Sequence, residues 1–171
     1  MTTNLKICVK SLLGICSLAL SLSASSAHAA SVQFAALIAP KADVTLAFED
    51  GSKHLFRLVQ REGKTTGGPL DGTTMLEFGT HELTPVGAEG RGYLVFTRES
   101  GDIAYLRFHW VAQGVASADG DLTPRLAGQW EVTGGTGRFA SLRGVGTVRI
   151  EMPSSSERNW VFEGDMSIGQ P

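Results

Sequence analysis

Apolar and polar residues alternate along the stretch from Ile103 to Ala112. Every second position there holds a small or apolar residue: Ala104, Leu106, Phe108 and Trp110. The positions between them are Tyr105, Arg107 and His109. Successive side chains of a β-strand point to opposite faces, so this pattern predicts a strand with one buried side, and we place it at 103–115.

The same alternation recurs along most of the chain, between turn signals such as Asp50-Gly51 and Ser100-Gly101-Asp102. It predicts eight strands, at 43–49, 54–62, 74–82, 92–98, 103–115, 127–133, 144–152 and 159–168. Polar stretches predict loops at 63–73, 85–91, 117–124 and 153–158. Residues 31–39 fit an extra strand, a helical turn or a lid.

The fold class that follows is all-β. Short strands joined by hairpins, with no helical periodicity, form either a sandwich or a closed barrel. Closure leaves no exposed sheet edge, so we predict a single antiparallel β-barrel of eight strands.

The first 29 residues have the three parts of a secretory signal peptide. Lys6 and Lys10 form the positive end, residues 11–22 are apolar but too short to span a bilayer, and Ala27-His28-Ala29 provides a cleavage site before Ala30. A lipoprotein signal at Cys16 is the alternative, but the large Ile15 before it disfavours that processing. We therefore predict a signal peptide at 1–29 and a barrel domain at 30–171, exported to the periplasm or secreted.

Composition excludes several classes of protein. The exported part carries thirteen Lys and Arg against seventeen Asp and Glu, a formal charge of −4 without a basic block. Neither nucleic acid nor a membrane surface is therefore an expected partner. With 42% hydrophobic and 19% charged residues the chain can bury a core, and both cysteines lie in the leader, so neither disorder nor a disulfide scaffold is expected.

The segment from Trp130 to Thr147, WEVTGGTGRFASLRGVGT, is rich in glycine. Gly135 to Ala140 matches the dinucleotide-binding fingerprint, but Gly144 and Gly146 interrupt the helix that this fingerprint requires. A compact turn between strands, with Phe139 plugging one end of the core, explains the segment better.

GGTGRF followed by RGVGT resembles the glycine-rich signature of the allene oxide cyclase and dirigent β-barrel superfamily. The matching residues are Gly134, Gly135, Gly137, Phe139, Gly144 and Gly146, and Arg138 stands where that family often has Lys. The resemblance implies an exported barrel with an apolar interior that forms a homo-oligomer. The functional residues of the family cannot be aligned with this chain, so none is carried over.

Few residues indicate catalysis. His54, His81 and His109 lie on different predicted strands without a close ligand pair, so we expect no metal, and no cofactor motif remains. Alternation places Glu131 and Glu163 on the outer face. Glu77 and His81 share one face of a strand, two same-face positions apart, where a buried carboxyl beside an imidazole could act as a base. They are the catalytic candidates.

Aromatic residues occur on nearly every predicted strand, and a closed sheet would point many of them inward: Phe48, Phe56, Phe96, Phe108, Trp110, Trp130, Trp160 and Phe162. An eight-stranded lumen is either filled by side chains or holds one small ligand. We predict the latter, a non-catalytic site for a small hydrophobic or aromatic molecule, with Tyr93, Tyr105, Arg57 and Trp110 as candidate contacts. The alternatives are a cyclase or isomerase that confines a reactive substrate, and a structural or interaction module with a filled core.

Overall fold

The computed structural model describes residues 29–116 and 122–169. Its strands are β1 (Ala30–Ala47), β2 (Leu55–Thr66), β3 (Thr74–Thr84), β4 (Gly87–Thr97), β5 (Ile103–Ala116), β6 (Leu122–Gly135), β7 (Leu142–Glu151) and β8 (Arg158–Ile168). Two single turns of 3₁₀ helix, Gly68–Leu70 and Gly137–Phe139, join β2 to β3 and β6 to β7. Each strand pairs antiparallel with the next, and β1 pairs with β8, so the sheet closes into the predicted eight-stranded barrel.

Side-chain alternation sorts the interior of the barrel from its outer face. On β5, Ala104, Leu106 and Phe108 are buried, while Tyr105 between them is exposed. Glu131 and Glu163 are outside, and Glu131 pairs with Arg107 of β5 at 2.5 Å. On β5, and at Glu131 of β6 and Glu163 of β8, alternation therefore separates inside from outside as the sequence predicts.

The first strand is longer than predicted. Residues 31–39 form neither a helical turn nor a lid but the first half of β1, which pairs with β8 from Ala30 to Ile38. Phe34 and Ile38, which lie four positions apart and so on the same face of the strand, are both buried there. A register shift between Pro40 and Ala42 leaves Lys41 as a bulge, which allows one strand to continue to Ala47 beside β2.

Of the predicted loops, 85–91 is largely strand and 63–73 is strand in its first four residues. Pro85 and Val86 alone separate β3 from β4, although 85–91 was expected to be a loop. In the stretch 63–73, β2 continues to Thr66 before the 3₁₀ turn. Glycines and charged residues lower the β-propensity of these segments, but hydrogen bonding to both neighbouring strands overrides it. The predicted loop 117–124 falls mainly outside the described residues.

One end of the barrel is filled. Leu70 and Phe139, from the two 3₁₀ turns, are fully buried there. Behind them Phe34 stacks on Phe162 with ring centroids 4.5 Å apart. The interior of this closed end is thus an ordinary aromatic and aliphatic core.

Two of the aromatic residues expected inside are not in the core. Phe48 is exposed at the tip of the β1–β2 hairpin and stacks on His54, with ring centroids 4.2 Å apart. Phe56 is only partly buried. This hairpin extends past the end of β8, so alternation in it does not correspond to inside and outside.

Candidate functional site

A cavity of about 200 Å³ opens at the other end of the barrel, and we call it the mouth cavity. Its apolar walls are Leu83, Ala88, Trp110, Ala112, Leu126, Ile150, Met152 and Trp160. Its polar residues are Arg57, Arg61, Glu77, His81 and Arg158. The lumen is therefore filled at the closed end and hollow at the mouth.

A buried carboxylate lies at the floor of the mouth cavity. Glu77 is 0% exposed, and its Oε1 is 2.9 Å from Nε2 of His81. Its Oε2 accepts a hydrogen bond of 3.3 Å from a terminal guanidinium nitrogen of Arg61, the residue directly opposite it on β2. A buried carboxylate requires such partners, because an unpaired charge in the core is costly.

The local sequence of β3 makes room for this carboxylate. Glu77, Gly79 and His81 all point inward, and Gly79 between the two side chains has none of its own. A Cβ there would lie 3.1 Å from Phe108 Cζ and 3.3 Å from Glu77 Oε1. Gly79 thus allows both groups to pack inside the barrel.

Two further arginines stand at the mouth. Arg57 forms an ion pair with Asp43 across the β1–β2 hairpin. Arg158, at the start of β8, donates to the carbonyl oxygens of Ser154, Ser155 and Glu157 and has no carboxylate partner among the described residues. Burial lowers the pKa of Arg158, the nearby charges of Arg61 and Arg57 lower it further, and Glu77 opposes them.

Trp110 forms one wall of the mouth cavity. Its indole ring meets the imidazole of His81 edge-on, with centroids 4.9 Å apart and planes at 77°. The ring lies over Gly90 of β4, where a Cβ would clash with it. Gly90 is therefore needed for this position of the indole.

The structure brings four of the six candidate residues from the sequence together. Glu77, His81, Arg57 and Trp110 all line the mouth cavity. Tyr93 and Tyr105 are instead exposed on the outer face, where neither contributes to the lumen.

Sequence reasoning missed Arg61, Arg158 and Trp160 as site residues. Arg61 shares a face of β2 with the buried Val59, and this pattern could have indicated that Arg61 points inward. Leu58 and Phe56 on the opposite face are equally apolar, however, so the sequence of β2 does not show which face is inside. Arg158 stood at the border of a predicted loop. Trp160 was expected inside, but nothing in its own strand places it beside a cavity.

The glycine-rich segment has a packing role at the closed end. Trp130 lies against Gly146, whose Cβ would be 2.6 Å from the indole Cζ2, and its Nε1 donates to the carbonyl of Thr147 at 2.9 Å. Gly137 has a φ of 53°, which favours glycine, and begins the 3₁₀ turn that carries Phe139. Gly134 and Gly135 end β6.

The remaining histidines lie apart from the mouth cavity. His54 Nε2 is 2.9 Å from Glu82, and His109 Nε2 is 3.7 Å from Glu89 on the outer face. No group of three or more His, Cys, Asp or Glu with metal-binding geometry occurs in residues 29–116 and 122–169.

A larger depression, of about 1330 Å³, lies on the outer face of the barrel and is open to solvent. It is lined by exposed side chains such as Leu58, Tyr93 and Val145, and its charged residues include the Arg107–Glu131 pair. The charged side chains of the Arg107–Glu131 pair are solvated, whereas Arg61, Glu77 and His81 of the mouth cavity are buried, so the mouth cavity is the stronger candidate site.

Within the described part of the chain, no helix has the length and apolar composition needed to cross a membrane. No protein-family model and no curated protein matches this sequence. Among solved structures, the chain is similar to the crystal structure of a conserved protein of unknown function from Rhodopseudomonas palustris, with a TM-score of 0.49 and 10% identity over 81% of this chain and 98% of that one. Structural similarity at this level does not indicate a function.

Proposed function

We propose that the protein binds a small, largely apolar molecule in the mouth cavity without changing it. The observation that carries this proposal is a hollow of about 200 Å³ in a barrel whose other end is packed solid. An apolar cavity of about 150 Å³ holds one benzene molecule, so this one has room for a single ring with a short substituent. Two indoles and several aliphatic side chains would surround the ring.

The test is a titration of the exported form of the chain with toluene, followed by thermal unfolding and tryptophan fluorescence. Trp110 and Trp160 line the cavity, so a bound ring should change their emission. Ala112→Leu narrows the cavity and should abolish binding, whereas Ala42→Leu on the exposed part of β1 should leave it unchanged. Equal binding by both variants would contradict the proposed site.

The hydrogen bond between Glu77 and His81 supports a second candidate function, an isomerase or cyclase in which Glu77 takes a proton from a bound substrate. Exchange of a ligand proton for deuterium in D₂O, followed by NMR, would detect that step. It should be lost in Glu77→Gln and kept in Glu131→Gln. If the unsubstituted protein and Glu131→Gln both fail to catalyse exchange of any bound ligand, the binding function remains and the catalytic one is rejected.

We also infer that the chain is a distant member of the allene oxide cyclase and dirigent superfamily and is exported. The GGTGRF and RGVGT motifs and the eight-stranded barrel support the first inference, and the composition of residues 1–29 supports the second. An N-terminal sequence of the protein from the exported fraction that begins at Ala30 would agree with the predicted processing. Recovery of the full-length chain in the cytoplasm would contradict it.

A further inference from the structure

Three residues that line the mouth cavity each have a buried hydrogen-bond donor without an acceptor. Arg61 Nε, Trp110 Nε1 and Trp160 Nε1 are buried, and none has a hydrogen-bond partner among the residues that the structure describes. Arg61, Trp110 and Trp160 are 6%, 3% and 1% exposed, and all three line this cavity. Guanidinium and indole nitrogens only donate, so a ligand that settles among these residues gains from acceptor atoms and not from donors of its own.

The charges at the mouth lead to the same conclusion. Arg57, Arg61 and Arg158 line the cavity, and within the described ranges two of them have a carboxylate partner: Asp43 pairs with Arg57, and Glu77 pairs with Arg61. Arg158 is the arginine with no carboxylate partner in the described residues, so its positive charge is not matched by a carboxylate there. Guanidinium groups bind carboxylates through paired, charge-assisted hydrogen bonds.

Shape and charge together select one class of ligand. The single surplus charge matches a monoanion, whereas a doubly charged phosphate would be repelled by the nearby Glu77. A cationic ligand would be repelled by the positive charges of the arginines. The apolar walls of Leu126, Ile150 and the two indoles leave the rest of the volume to a hydrocarbon body.

On the basis of the proposed function, we propose that the molecule bound in the mouth cavity is a small monocarboxylate with an apolar body. Its carboxylate lies toward Arg61 and Arg158, and its ring or chain lies between Trp110 and Trp160. The carboxylate accepts hydrogen bonds from the guanidinium group of Arg158, which has no carboxylate partner in the described residues.

Calorimetric titration of the exported form with four compounds of one size tests this inference: benzoate, benzamide, toluene and benzylamine. Benzoate should bind about tenfold more tightly than benzamide or toluene, since it alone supplies a charged acceptor, and benzylamine should bind most weakly. Equal affinities for benzoate, benzamide and toluene would overturn the carboxylate inference and leave the apolar site standing. Failure of all four to bind would overturn the proposed function as well.

Two variants localise the charged end. Arg158→Gln should weaken benzoate binding about tenfold while toluene binding is unchanged. Arg107→Gln, on the outer face, is the matched control and should change neither. Arg158→Lys keeps the positive charge but cannot donate two parallel hydrogen bonds to a carboxylate, so it should reduce the preference for benzoate over toluene by a smaller factor, and it is the substitution to measure if Arg158→Gln fails to fold. An unchanged preference in the folded variant would overturn the inference.

Discussion

At the scale of single residues, the interior depends on the absence of side chains as much as on their presence. Trp110 needs Gly90, Trp130 needs Gly146, and the Glu77 carboxylate needs Gly79. Each of these three groups thus has a glycine on a neighbouring position or strand that gives it room. Substitution of such a glycine should be costly even where the backbone conformation is ordinary.

Gly146→Ala should lower the free energy of unfolding by about 2 kcal/mol, as expected for an overpacked core. The added Cβ would lie 2.6 Å from Trp130 Cζ2 and 2.1 Å from the carbonyl oxygen of Glu163. Urea unfolding followed by tryptophan fluorescence measures the change. Gly134→Ala is the matched control, because its Cβ would meet nothing within 4 Å and stability should hardly change. Similar losses in both variants would contradict the packing argument.

The buried ion pair gives a second prediction at this scale. Arg61→Met should destabilise the protein by about 3 kcal/mol, because it leaves the Glu77 carboxylate buried with only His81 as a partner. The double variant Arg61→Met with Glu77→Leu should recover much of that loss, since the unpaired charge is then gone.

Arg107→Met is the comparison for this pair, since it breaks the exposed pair with Glu131 and should cost less than about 1 kcal/mol. Chemical denaturation of the four proteins measures these differences. A double variant no more stable than Arg61→Met would show that the buried charge is not the cause.

At the scale of elements, β1 has two halves with different surroundings. Its first half closes the barrel against β8, and its second half, beyond the bulge at Lys41, pairs with β2 alone. Backbone groups on the other side of this second half form an edge open to another strand. Pro40 has no N–H to offer there, and Lys41 bears a charge that pairs with Glu62 at 2.6 Å.

We therefore expect Pro40→Val with Lys41→Val to increase self-association, because both features that protect this edge are removed. Light scattering during incubation at raised protein concentration measures it. Lys64→Val is the control: it makes the same loss of charge on β2, which is paired on both sides. Equal scattering from the two proteins would assign the effect to lost charge and not to the open edge.

At the scale of the whole molecule, the barrel has a packed end and a hollow end. The 3₁₀ turns cover one opening, and the turns that join β1 to β2, β3 to β4 and β7 to β8 lie at the other. Eight strands enclose a lumen that side chains just fill, so substitution of a few large residues by small ones is enough to create a cavity. Ala88 and Ala112, on adjacent strands, do so at the mouth.

The homo-oligomer implied by the superfamily resemblance is a prediction at this scale. Light scattering coupled to size-exclusion chromatography of the chain from Ala30 onward should give two or three times the mass of one chain. A monomer at every concentration examined would contradict the prediction and would leave the mouth cavity of a single barrel as the whole site.

The sequence alone determined the all-β class, the eight strands and the inward stripe Ala104, Leu106, Phe108 and Trp110. It could do so because alternation follows directly from the pleat of a single strand. It also placed Glu77 and His81 on one face, since both lie on the same strand.

Only the tertiary structure decided what those residues meet. Arg61 opposes Glu77 through the register of β2 with β3, and Trp160 reaches the cavity through the pairing of β8 with β1 and β7. Register depends on contacts between residues far apart in the chain, and the hollow depends on the summed volumes of side chains from all eight strands. Neither the register nor the volume of the cavity can be read from the residue pattern of a single strand.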